Sequence, residues 1–114
     1  MPPKHNPLKL NGLQLRTLAL LQELARHPET SKRDDATGVV TITGLPMGHG
    51  DHLHVGSFVV SARFASGFSN PAVWTALARK GLVGTGYPEA MTLTAAGGAY
   101  ATGLAESLAR PSDH

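Results

Sequence analysis

His49-Gly50-Asp51-His52-Leu53-His54 places three imidazoles and a carboxylate within six residues. Imidazole nitrogens and a carboxylate oxygen suit zinc, nickel or copper. On an extended segment His52 and His54 fall on the same side, so both can reach one ion. His49 would then supply a third ligand and Asp51 a fourth. The same residues also read as exposed turn and strand histidines, or as a surface whose charge changes near neutral pH. The chain has no cysteine. Disulfides, thiolate-bound zinc and iron–sulfur clusters are therefore excluded, and zinc or nickel at these histidines is the one cofactor candidate.

A second set of polar residues suits a polyanion. From His52 to Pro88 there is no Asp or Glu, while Arg63, Arg79 and Lys80 fall there. Ser69, Asn70 and Thr75 add groups that could donate to phosphates or base edges. The bland alternative for Arg79 and Lys80 is a solvated helix end, where cations offset the helix dipole. For Arg63 it is an ordinary exposed arginine. No nucleophile–base spacing is present. Gly84-Thr85-Gly86 is too short for a phosphate loop, so an enzyme is not expected. The net charge of +2 is small beside that of strong nucleic-acid binders.

These residues must be held by a small set of elements. The 114 residues suffice for one domain with a modest core. Aromatics are 5%, so Leu, Val and Ala must build it. Residues 1–10, rich in proline, read as a flexible arm, and residues 111–114 as a tail, leaving a domain over 11–110. Asn11 caps a helix from about Gly12 to His27, apolar on more than one side. Residues 28–37 read as a polar loop, and 38–56 as a β-hairpin. Ser57–Ser66 reads as a helix, Gly67 as a turn with positive φ, and Ser69 as the cap of a second helix over 70–80. In that helix Val73 and Leu77 face the core and Trp74 covers its edge. Gly81 ends it. Two short strands flank the turn Gly84–Glu89, and a last helix runs from about Ala95 to Ala109. No apolar run approaches the ~20 residues of a membrane span. The start lacks a secretory core, so the expected location is the cytoplasm.

Ser66-Gly67-Phe68-Ser69, Val73 with Leu77, Arg79-Lys80-Gly81-Leu82-Val83 and Leu93-Thr94-Ala95-Ala96-Gly97 occur in an order that resembles a winged helix-turn-helix domain of the MarR/PadR type. The resemblance covers about residues 57–104, and Leu13–Ala25 fits the first helix of such domains. It implies an α+β, mainly helical winged helix-turn-helix fold, to which this chain adds an extra β-hairpin, carrying histidines, between the first helix and the helix-turn-helix. It also implies a bacterial transcriptional regulator that binds double-stranded DNA as a homodimer, with helix 70–80 in the major groove. The leucine-rich first helix and the Gly/Ala-rich last helix are the expected dimer surfaces. The turn at 84–90 departs from the pattern, for it holds Glu89 and no Lys or Arg. A protein-interaction module on the same fold, or a metal-responsive variant using His49, His52 and His54, are the alternatives.

Overall fold

The computed structural model describes residues 6–44 and 65–104, and the strand backbone at 48–49, 52–55 and 58–61. It is a small α+β fold. Helix α1 (Gly12–Ala25) lies at its centre. Asn11 and Gln14 close a capping box at its start: the Asn11 side chain accepts from the Gln14 N–H at 2.8 Å, and the Gln14 side chain accepts from the Asn11 N–H at 3.0 Å. Two otherwise orphaned donors are thereby satisfied. Leu15, Leu18, Ala19, Leu20, Leu21 and Leu24 are all buried, so α1 is covered on several sides. The helix stops two residues short of the expected His27. The Thr30 hydroxyl donates to the Leu24 carbonyl at 2.8 Å and the Ser31 hydroxyl to the His27 carbonyl at 2.8 Å, which satisfies acceptors that a further turn of helix would have used.

The expected polar loop holds a strand. β1 (Ser31–Arg33) pairs antiparallel with β2 (Val40–Ile42). Between them the Asp34 carboxylate accepts from the Ala36 N–H, the Asp34 carbonyl accepts from the Gly38 N–H at 2.7 Å, and Gly38 takes φ +76°. This is an Asx turn closed by a left-handed glycine. The expected hairpin over 38–56 is therefore not formed. β2 instead turns back on β1, and its other edge pairs with β6 (Thr92–Leu93). Val40 and Ile42 are buried and Thr41 is exposed, the alternation of a half-buried strand.

His52–Val55 belongs to a second sheet. Its order is β3 (Gly48–His49), β4 (His52–Val55) and β5 (Phe58–Ser61). β5 occupies the first half of the segment expected as a helix. Phe58-Val59-Val60 is an aromatic and two β-branched residues in a row, which fit a pleated surface. Gly56 and Ser57 alone separate the register partners Val55 and Phe58, the spacing of a two-residue hairpin.

The chain then makes a 3-10 turn (Ser66–Ser69) and helix α2 (Pro71–Arg79). Val83 bridges Leu93 beyond it, and helix α3 (Ala95–Ala99) follows. α3 is far shorter than expected. Tyr100 is already extended at its end, and only residues up to 104 are described. Gly97 sits where a Cβ would lie 2.0 Å from the Leu82 carbonyl oxygen, so the glycine permits a contact that no side chain would. Part of the expected arm is docked. Leu10 is buried, the Leu8 N–H donates to the Tyr100 hydroxyl at 3.2 Å, and the Tyr100 hydroxyl bonds to the Asn6 side chain. No helix among the described residues is long and apolar enough to cross a membrane.

Candidate nucleic-acid interface

α2 buries one face and offers the other. Val73, Trp74 and Leu77 are buried against α1 and the 3-10 turn. Ala72, Thr75 and Arg79 are exposed. Asn70 caps the helix, its side chain accepting from the Ala72 N–H at 3.0 Å. The cap is thus one residue later than Ser69. Pro71 explains the shift, since proline at the first helical position makes its predecessor the cap. Ser69 is exposed, and its hydroxyl donates to the Ser66 carbonyl at 3.5 Å. Gly81 adopts φ +77° past the C-terminus, as expected.

Gly67 is required for a different reason than the expected one. It does not take positive φ; among the described glycines, Gly38, Gly81 and Gly103 do. A Cβ on Gly67 would sit 1.8 Å from the Thr17 hydroxyl oxygen. The glycine lets the 3-10 turn lie directly on α1. Phe68 fills the junction as an apolar plug, 7% exposed.

The loop after α2 is fixed to the helix by aromatic residues. Trp74 and Tyr87 stack with centroids 4.7 Å apart and planes 13° from parallel. The Trp74 indole N–H donates to the Phe68 carbonyl at 2.9 Å, and the Tyr87 hydroxyl donates to the same oxygen at 3.2 Å. One backbone acceptor thereby ties the loop, the helix and the 3-10 turn together. Beside this stack lies an open cleft of about 520 Å³, lined by Pro71, Thr75, Ala78, Arg79, Thr85 and Pro88 among others. Among the described residues, Arg79 is the one charged residue lining it. Tyr87 was not among the expected site residues. Its pairing with Trp74 joins residues 13 apart and leaves no local periodic signal.

The expected site residues separate into three groups. Thr75 and Arg79 come together on the exposed side of α2, at the cleft. Lys80 is exposed, but its ammonium donates to the Leu8 carbonyl at 2.8 Å and holds the docked arm. Two of its three N–H donors remain for other partners. Arg63 lies outside the described residues, as do the side chains of His49, His52 and His54. Among the described residues, no group of three His, Asp or Glu could hold a metal. Most of α1's leucines are spent on the chain's own core, so the expected leucine-rich dimer surface is not free. Ala95, Ala96, Gly98 and Ala99 of α3 are exposed. No protein family, curated protein or solved structure matches this chain.

Proposed function

We propose that the chain is a small winged-helix-like protein that binds double-stranded DNA, with α2 in the major groove and loop 84–91 beside it. One observation carries the reading. α2 stands with Thr75 and Arg79 outward, and the loop pinned next to it is closed by the Val83–Leu93 bridge on a sheet in which β6 also pairs with β2. That is the arrangement in which a helix and an adjacent loop present one continuous face to a duplex. A 3-10 turn precedes α2, and at Gly67 it packs directly on Thr17 of α1.

The charge available sets the expected strength. Arg79 and Lys80 give two phosphate contacts per chain, and counterion release then gives a log–log salt slope of about −2 for one chain and about −4 for a pair. Raising salt from 50 to 200 mM should weaken binding roughly 10-fold or roughly 100-fold respectively. Binding in vivo as a transcriptional regulator therefore calls for a homodimer, for which the exposed Ala95–Ala99 face is the candidate surface. Fluorescence anisotropy with fragmented genomic duplex across that salt range tests this. Arg79→Ala with Lys80→Ala should flatten the slope. No binding, or an unchanged slope in the double variant, overturns the reading.

A second reading, a protein-interaction module on the same fold, is favoured by the cleft itself. Its lining is mostly apolar, Arg79 is its one charge among the described residues, and the charged residue in the loop beside it is Glu89. In the same titration this reading expects no duplex binding at any salt.

A further inference from the structure

The backbone register of the second sheet brings the histidine motif together in a way the linear spacing alone does not. β3 and β4 pair antiparallel with His49 directly opposite His52. Residues directly opposite in an antiparallel pair share a face of the sheet, with Cβ atoms about 4.5–5.5 Å apart. His54 is two positions along β4 and so falls on that same face. The next strand places Ser61 opposite His52 and Val59 opposite His54. The alternate positions, Leu53, Val55, Phe58 and Val60, make up the other face. The face that carries the three histidines therefore also carries Ser61 and Val59, and the sheet approaches α1 through β4.

We propose that His49, His52 and His54, gathered on one face of the β3–β4 hairpin, form a three-histidine site for a divalent transition ion of the zinc or nickel class. Two histidines at alternate positions of one strand and a third at the register position opposite are brought together by two adjacent strands. A set of three imidazoles leaves a fourth coordination position open to water or an exogenous ligand. Asp51 stands between the paired histidines in sequence and brings the one carboxylate of the motif. Imidazole suits zinc, copper and nickel, whereas calcium and magnesium want oxygen donors, so the site discriminates against the latter pair. The proposal is independent of the DNA-binding reading, because it uses a different sheet and different residues.

Isothermal titration of the full, untagged chain with zinc chloride and nickel chloride tests it. About one ion per chain should bind, in the micromolar range or tighter. His52→Ala with His54→Ala should weaken zinc binding by more than about 100-fold, beyond the 10–100-fold typical of losing an outer-shell partner. His49→Ala alone should also weaken it, which a site on β4 without the cross-strand partner would not show. Circular dichroism of each variant without metal separates a lost site from a lost fold. A folded parent that binds no zinc, or binds it equally well after the double substitution, overturns the proposal. So does a His49→Ala protein with parental affinity.

Discussion

Ser57–Ser66 and Asn70–Lys80 lie on either side of Gly67 with comparable apolar content, yet the second coils and the first contains a strand at Phe58–Ser61. The difference lies in punctuation and partners. α2 has a side-chain cap at Asn70, proline at its first position, Val73 and Leu77 four residues apart, and glycine past its end. Each local signal agrees with the others. In the earlier segment the apolar residues run consecutively, and Gly56–Ser57 has the length and composition suited to a two-residue hairpin. Consecutive apolar residues do not separate strand from buried helix, and the neighbouring strand decides. Four register pairs with His52–Val55 settle it as β5.

The comparison breaks most severely if α2 loses its grip on the core. Leu77 is fully buried. Leu77→Ala should cost about 2–5 kcal/mol in urea unfolding. A cost below about 1 kcal/mol would mean that α2 is not packed as described. Next comes the hinge between the two segments. Gly67→Ala forces a Cβ onto the Thr17 hydroxyl and should cost about 1–3 kcal/mol as overpacking. Adding Thr17→Ala removes the obstructing oxygen and should recover part of that loss. If instead Gly67 served a left-handed turn, the second substitution would restore nothing.

The two regions also show what the sequence made legible. Asn11, Gly81, and the Val73–Leu77 spacing mark the helices because capping and periodicity are local. Trp74, expected at the edge of the core, is buried, as a large lone aromatic in a small domain usually is. The cap was expected at Ser69 and lies at Asn70, a miss of one residue that follows from Pro71 taking the first helical position. β1 was hidden because Ser31-Lys32-Arg33 has no apolar alternation and its stability comes from pairing, with charged residues on an exposed edge. β2 pairs with β6 some fifty residues later, and no local pattern encodes such a register. At the candidate site, Thr75 and Arg79 followed from helical spacing. The Trp74–Tyr87 stack and the Lys80–Leu8 contact depend on long-range docking.

Smaller effects sharpen the same contrast. Asn70→Ala removes the cap of α2 and should cost about 1 kcal/mol, while Ser69→Ala should cost less than about 0.5 kcal/mol. Equal costs would place the helix start one residue earlier. The smallest effect carries a sign. Alanine is the better helix former and the poorer strand former, whereas threonine keeps the β-branch. At Val59 in β5, substitution by alanine should therefore lower stability by up to about 1 kcal/mol relative to substitution by threonine. The reverse order, with Val59→Ala the more stable protein in parallel urea titrations, would require 58–61 to be coiled, because only there does the β-branch count against the chain. It would also remove the cross-strand register that sets His52 and His54 beside β5, so the same pair of variants tests the scaffold on which the three-histidine site is built.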